Sequence, residues 1–238
     1  MTAALVVASL VLAVLCGALW QRQLALRREA YIRSFVLPQG LFEQLRKQHP
    51  RLTLKECQLI AHGLRQFFLA HLKSGRQQVA MPSQVVDDLW HAFILYTKQY
   101  QAFCQRAFGR FLHHTPAVVL GGATIGNAGL RRCWWHVCRE ENINPRAPTR
   151  LPLLFALDAK LDVPNGFRYV ADCASVRRQG ADGGGGNGAV HCGGDFSSAS
   201  VDGGTDGLGD SGGGGDFGGG GASGDGGGDG GGGGCGGD

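Results

Sequence analysis

Hydrophobic positions between residues 82 and 109 recur with the spacing of an α-helix. At about 100° per residue they form one stripe, made of Val85, Val86, Leu89, Phe93, Tyr96, Tyr100, Phe103, Cys104 and Ala107. Pro82 suits the first turn of a helix, where its missing N–H removes no hydrogen bond. Gly109 suits the end of a helix, because glycine readily adopts positive φ. The pattern predicts one long helix from Pro82 to Gly109, followed by a loop.

The opposite face of this helix is also largely apolar. Trp90, Ile94 and Leu95 lie outside the main stripe. A helix that is apolar over more than half of its circumference is usually buried on two sides. We therefore expect His91, which lies on the second face, to be removed from the freely solvated surface.

Shorter helices are predicted on both sides of the long one. Their expected ranges are 40–48, 53–73, 127–141 and 151–161. Thr53 and Glu56 have the spacing of a capping box, which begins a helix, and Gly75 suits its end. Residues 166–172 alternate imperfectly between apolar and polar and are predicted to form a strand or an edge segment.

The N-terminus contains an uncharged apolar run over residues 3–20. As a helix this run spans roughly 27 Å, close to the roughly 30 Å hydrocarbon thickness of a bilayer. Trp20 stands where an interfacial aromatic residue belongs. The basic residues follow the run rather than precede it, at Arg22, Arg27, Arg28 and Arg33. The pattern predicts a single-pass membrane protein with its N-terminus outside and its body in the cytoplasm.

Two kinds of cleaved signal were weighed against this anchor. A secretory signal would have a basic segment before the apolar run, and this chain has none there. A bacterial lipoprotein signal would have a small residue before Cys16, but Leu15 occupies that position. Both comparisons favour a retained anchor.

Charge and glycine divide the remaining chain. Residues 180–238 contain 31 of the 41 glycines, nine aspartates and neither lysine nor arginine. The preceding residues carry a net charge of +13 and the glycine-rich segment −9. Such a segment cannot bury enough apolar surface to fold. We predict an anchor (1–21), a basic juxtamembrane segment (22–37), a small helical-bundle domain (38–178) and a disordered tail (179–238), a mainly α fold class.

The candidate chemistry lies on the predicted long helix and the loop after it. Asp87 and His91 are four residues apart and share a face, and His113 and His114 follow in the loop. Such residues could bind zinc or another divalent metal, whose open position would activate a water molecule. A metal-free alternative has Asp87 orienting His91 for proton transfer. In a third, purely structural interpretation, Trp90 and His91 donate hydrogen bonds to loop carbonyls.

Eight positions at fixed spacing resemble the signature of a known family. The pattern is Asp-x2-Trp-His-x3-Leu-x4-Tyr-x3-Cys-x4-Gly-Arg, formed by Asp87, Trp90, His91, Leu95, Tyr100, Cys104, Gly109 and Arg110. It resembles the GRDP-like (glycine-rich domain-containing protein-like) family, including its bacterial membrane-anchored members. The resemblance implies a mostly helical module, a glycine-rich C-terminal region and a structural core motif at Trp90, Leu95, Tyr100, Cys104, Gly109 and Arg110. It implies no particular enzymatic chemistry.

Three functions follow as hypotheses. The first is a non-enzymatic, membrane-tethered interaction or scaffold module, with lipid bound by the N-terminal helix and an unidentified protein partner. The second is a metal-dependent hydrolase that uses Asp87, His91 and His114. The third is nucleic-acid or anionic-lipid binding by the basic body, which the dispersed positions of the arginines and lysines disfavour.

Overall fold

The computed structural model describes residues 2–114, 123–171, 190–192 and 196, all of them within the unit Met1–Leu208. Seven helices lie in this described part: α1 (Thr2–Ser34), α2 (Leu41–Gln48), α3 (Leu54–Lys73), α4 (Gln84–Leu95), α5 (Thr97–Phe108), α6 (Ala123–Glu140) and α7 (Leu153–Lys160). Two short parallel strands, β1 (Arg168–Val170) and β2 (Val190–Cys192), pair in the register Arg168–Val190, Tyr169–His191 and Val170–Cys192. The predicted mainly helical fold is confirmed.

Helix α3 is the centre of the bundle and contacts α1, α2, α4, α6 and α7. It begins with the predicted capping box, in which Thr53 and Glu56 bond reciprocally. Gly63 lets α3 approach its neighbours closely, since a Cβ there would lie 2.6 Å from a methyl carbon of Leu157 and 3.2 Å from one of Val86. The absence of a side chain at this position brings α3, α4 and α7 together.

The predicted long helix was wrong, because the chain breaks at Tyr96. Tyr96 has φ −81° and ψ 59°, and its N–H bonds to the Phe93 carbonyl three residues back, which closes α4. Its hydroxyl donates to the Gln39 carbonyl at 3.3 Å. The break lets α4 pack against α2, α3 and α7 while α5 packs against α1. It also turns Leu95 outward to 80% exposure, which corrects the expectation that Leu95 belongs to the core.

Helix α1 runs without interruption from an exposed apolar half into the folded domain. Side chains from Leu5 to Trp20 are mostly exposed, whereas Ile32 is fully buried and the rings of Tyr31 and Phe35 lie against Phe103 at 5.9 and 4.6 Å. Within the described residues it is the one helix long and apolar enough to cross a membrane, and it lies near the N-terminus. A signal sequence near the N-terminus can meet the same criteria of length and composition.

An ion-pair network holds the end of α1 against α3 and α6. Arg33 pairs with Glu29 at 2.6 Å and also with Glu140, and Lys73 pairs with Glu140 at 2.8 Å and Glu29 at 3.2 Å. Burial alone would raise the pKa of Glu140, but the two cations prevail and lower its pKa to about 2. Charge pairing therefore supports apolar packing where α1 enters the bundle.

The folded part extends further along the chain than predicted. Strand β2 lies beyond residue 178, and Phe196 is buried, with its ring 5.7 Å from Trp134 and 6.1 Å from Tyr169. Phe196 provides the apolar contact that the surrounding glycines lack. The predicted tail boundary at 179 was therefore too early. Most of that segment (residues 179–189, 193–195 and 197–238) lies outside the described residues.

Adding a methyl group at Gly63 is expected to destabilise the domain. We predict that Gly63→Ala lowers the free energy of unfolding by about 1–3 kcal/mol, because α3 must move away from Leu157. Chemical denaturation of Gly63→Ala, Leu157→Ala and the double variant would measure the coupling. The two losses should be less than additive, and strict additivity would contradict a direct steric contact.

The Glu140 network predicts a specific sensitivity to acid. The pKa of Glu140 in the folded protein lies below the ordinary value of 4.5. The stabilising effect of its ionised carboxylate is therefore complete above pH 4.5 and is lost as the pH falls towards about 2. The free energy of unfolding, measured between pH 7 and pH 2, should therefore fall less steeply with acid in Glu140→Gln than in the wild type. Glu43→Gln is the control, since Glu43 has no ion-pair partner within the described residues. Equal acid limbs in wild type and Glu140→Gln would contradict the prediction.

Candidate metal centre

A buried carboxylate from α7 fixes the beginning of α4. Asp158 is 2% exposed and accepts hydrogen bonds from the Ser83 hydroxyl at 2.7 Å, from the N–H groups of Gln84 (2.7 Å) and Val85 (3.2 Å), and from the Phe167 N–H at 2.9 Å. Ser83 also caps α4 through the Val86 N–H. These bonds satisfy helix-terminal donors and hold the turn that precedes Asp87.

A two-bond relay positions the loop after α5. The Trp90 ring N–H donates to the Tyr100 hydroxyl at 3.1 Å, and that hydroxyl donates to the Leu112 carbonyl at 2.6 Å. Burial raises the pKa of Tyr100, which keeps the hydroxyl protonated. Gly109 ends α5 with φ 74°, as predicted, and directs the chain back along α4. The relay pins Leu112 and so sets the position of His114.

Asp87, His91 and His114 come together at the surface of α4. Their nearest ligand atoms all lie within 4.8 Å of one another. Asp87 Oδ1 lies 3.0 Å from His114 Nε2, and Asp87 Oδ2 lies 3.7 Å from His91 Nε2. The two imidazole rings are 4.3 Å apart at their centroids. The helix contributes two ligand atoms one turn apart, and the loop contributes the third.

The separations suit a small divalent metal ion. Ligand bonds of about 2.0–2.1 Å in tetrahedral geometry separate neighbouring ligand atoms by about 3.3 Å. The two carboxylate–imidazole distances, 3.0 and 3.7 Å, lie on either side of this value. Small side-chain rotations would therefore bring the three groups to bonding distance. Metal binding at these residues remains a prediction.

His91 is more accessible than the sequence suggested. Its side chain is 49% exposed, which corrects the expectation of burial on both faces of the helix. The reason is its place on the wall of a cavity, where none of the described helices packs over it. His114 is 14% exposed, and its ring lies edge-on to Trp90 at 4.6 Å. One imidazole is thus held by packing while the other can turn.

One sequence candidate, His113, and the neighbouring carboxylate of Asp88 lie outside the cluster. Residues 111–114 form neither helix nor strand, and their exposure alternates as in an extended segment, so that His113 is exposed whereas His114 is partly buried. The His113 ring packs on Phe111 at 4.8 Å. Asp88 points to the other side of α4 and pairs with His49 at 2.7 Å. Because successive side chains of an extended segment point to opposite sides, only one of the two adjacent histidines joins Asp87.

A cavity of about 740 Å³ opens in front of the cluster. Its wall includes all three candidate ligands and a mostly apolar surface to which Phe67, Met81, Trp90, Leu112 and Phe167 contribute. Cavities of this size accommodate small-molecule ligands. An ion held by the three ligands would therefore face a partly open cavity.

Sequence reasoning missed several residues that shape this cavity. Asp158 comes from a helix some 70 residues further along the chain, and no local pattern connects it with α4. Asp158 lies behind the cavity wall, whereas His71, Arg76 and Arg110 line the cavity itself. Of these three, only Arg110 was singled out from the sequence, as a structural position. The order of the helices around α3 brings these residues together, so no local sequence pattern predicts that they lie at one cavity.

Comparison with known proteins identifies the family. A family model described as UCP032817-like matches residues 27–196, and the chain belongs to this family. The GRDP-like assignment was wrong. Its eight positions span 24 residues, and several of them, including Trp90, Tyr100, Cys104 and Gly109, are core or helix-end positions that unrelated helical proteins can share. No curated protein and no solved structure matches the chain.

Disrupting the Asp158 interactions is expected to loosen the candidate site. Asp158→Asn replaces an acceptor oxygen by an amide that faces N–H donors, so we predict a loss of about 2–4 kcal/mol in the free energy of unfolding. Chemical denaturation measures it. Asp162→Asn is the matched control, because Asp162 is exposed and its pair with Arg168 lies at the surface. Equal losses in the two variants would contradict this role of Asp158.

Proposed function

We propose that this protein is a membrane-anchored, metal-dependent hydrolase whose Asp87, His91 and His114 bind one divalent transition-metal ion. The observation that supports this most directly is the convergence of three ligand atoms within 4.8 Å at the wall of a cavity. A purely structural histidine pair would not need an opening of this kind beside it. The half-exposed ring of His91 also favours a binding role over a packing role.

Two imidazoles and one carboxylate leave positions open on the ion. Zinc sites with three protein ligands use the open position to bind water and lower its pKa to about 7. An ion held by Asp87, His91 and His114 would supply a water molecule activated for attack on an electrophilic carbon or phosphorus. The bond to the leaving group would break, and the leaving group would take up the proton that the water releases. Imidazole and carboxylate ligands also suit other divalent ions, including Fe²⁺ and Mn²⁺. The chemistry proposed is therefore hydrolysis by a metal-activated water.

The anchored arrangement is part of the same proposal. The exposed apolar half of α1 would cross the bilayer, with the N-terminus outside and the domain in the cytoplasm. Arg22 and Arg27 are exposed where α1 would leave the membrane, which suits contact with anionic headgroups. Arg28 lies against Gly109, and Arg33 joins the ion-pair network. The side chains of these two arginines thus contact the folded domain.

Metal content decides between this proposal and its alternatives. The full-length protein, purified in detergent, should contain close to one equivalent of a transition metal by plasma mass spectrometry. We predict that His91→Ala and Asp87→Asn each reduce this occupancy at least tenfold, because two remaining ligands bind a metal weakly. His49→Ala is the matched control, since His49 also pairs with a carboxylate of α4. It should retain the metal.

The opposite result has a clear meaning. A protein that binds no transition metal after incubation with zinc, iron or manganese would contradict the hydrolase. The same holds if the His91 and Asp87 variants retain the metal. The non-enzymatic interaction or scaffold function would then be preferred, and the search would turn from substrates to protein partners. Nucleic-acid binding would instead be recognised by a steep dependence on salt.

A further inference from the structure

Two arginines face the same cavity without an acidic partner. Arg76 and Arg110 both line it, and neither takes part in an ion pair with the described residues. Arg76 donates one side-chain N–H to the Phe108 carbonyl at 3.1 Å, and Arg110 donates one to the Arg76 carbonyl. Each guanidinium has five N–H donors. Most of these donors therefore remain available to a ligand.

The backbone holds these arginines in place. Helix α3 ends with Gly75 at φ 70°, and the Arg76 N–H bonds to the His71 carbonyl at 3.0 Å, which is the long bond of a Schellman motif. Arg110 directly follows Gly109, which ends α5. The ends of two helices thus meet, and the hydrogen bond from Arg110 to the Arg76 backbone connects them. Such fixed cations lose little conformational freedom on binding an anion.

A buried histidine completes this end of the cavity. His71 is 4% exposed and lines the cavity. Its Nδ1 lies 3.0 Å from the Gln77 carbonyl oxygen, which can only accept, so Nδ1 carries the proton. Burial, helped by the nearby charges of Arg110 and Arg76, lowers the pKa of His71 to about 4 and keeps the ring neutral. Its Nε2 is then an acceptor, and none of the described residues donates to it.

We propose that Arg76, Arg110 and His71 form a phosphate-binding site, at which the cavity holds the phosphate group of a small ligand. The arginines supply the positive charge and the donors. The His71 Nε2 accepts a hydrogen bond from a protonated phosphate oxygen. In the proposed hydrolase, the phosphate compound would be the substrate. Only this assignment rests on the proposed function, because the binding of phosphate itself does not require the metal.

The acceptor selects phosphate over other oxyanions. Near neutral pH, inorganic phosphate retains at least one O–H, whereas sulfate and carboxylates have none. An anion without a proton cannot donate to Nε2, so the nitrogen would stay without a hydrogen bond. The lone pair of Nε2 would also face a negatively charged oxygen, and both effects weaken binding. The volume of about 740 Å³ far exceeds one phosphate ion, and the apolar wall suits the organic part of a phosphate ester. An ester would bind in its singly protonated form, because its doubly ionised form has no O–H to donate to Nε2.

Titration calorimetry on the full-length protein in detergent tests this site, after EDTA treatment so that no metal contributes. Inorganic phosphate is the first probe, and sulfate and glycerol 3-phosphate follow. We predict that phosphate binds at least tenfold more tightly than sulfate. Arg76→Gln and Arg110→Gln should each weaken phosphate binding about tenfold or more, because each removes a charge-assisted contact. Arg46→Gln on α2 is the control and should bind like the wild type, because Arg46 is exposed and outside the cavity wall.

His71→Asn gives a test that does not depend on charge. An asparagine amide can still donate to the Gln77 carbonyl, but it removes the Nε2 acceptor. The preference of phosphate over sulfate should therefore fall towards one, while a circular-dichroism melt verifies that the variant is folded. Tighter binding of glycerol 3-phosphate than of inorganic phosphate would identify the ligand as an ester, and the reverse order as the free ion.

The outcomes separate this inference from the proposed function. Phosphate binding by a protein that takes up no metal would support the phosphate site and contradict the hydrolase. Metal uptake with no phosphate binding at millimolar concentrations, or with binding unchanged in both arginine variants, would overturn the phosphate site. Equal affinity for phosphate and sulfate in the wild type would also overturn it.

Discussion

The arrangement around the cavity depends on the burial of one carboxylate. Asp158 lies almost entirely out of water, and an unpaired ionised carboxylate in that position would be strongly destabilising. Four donors from the start of α4 and from residue 167 surround it instead. The requirement to satisfy this one group ties α7, the first turn of α4 and the segment before β1 together. Asp87 lies in this same first turn of α4, so the bonds to Asp158 also determine its position.

A second constraint orients the loop opposite. The relay from Trp90 through Tyr100 to Leu112 uses the polar tips of two aromatic side chains whose bodies belong to the core. Buried Trp and Tyr usually find such partners. Here the partner is a loop carbonyl, which transfers the rigidity of the core to residues 111–114. The purely structural hypothesis from the sequence had such bonds coming from Trp90 and His91. In the structure Trp90 provides one through Tyr100, and His91 faces the cavity instead.

The sequence is informative wherever a local rule governs the structure. The capping box at Thr53 and the left-handed turns at Gly75 and Gly109 were readable because caps and glycine conformations are properties of a few adjacent residues. The break at Tyr96 was not readable, because no glycine or proline marks it and packing against α1 and α2 decides it. The exposure of Leu95 follows from that break, and the exposure of His91 follows from its place on the cavity wall. The convergence of Asp87, His91 and His114 was proposed from helical spacing plus a loop histidine, and the structure brings the ligand atoms of these three residues within 4.8 Å of one another.

The continuity of α1 constrains how the cavity can meet its ligand. From Trp20 to the buried Ile32 the helix rises roughly 18 Å, and its last turns are fixed by Tyr31, Phe35 and the ion pairs of Arg33. In the proposed anchored arrangement, a rigid helix would restrict the movement of the domain relative to the membrane more than a flexible linker would. Arg28 on this helix also touches Gly109, the residue before Arg110. If α1 crosses a bilayer, this contact keeps the wall of the cavity at a fixed distance from the membrane surface, and the proposed phosphate ligand would have to reach the site there.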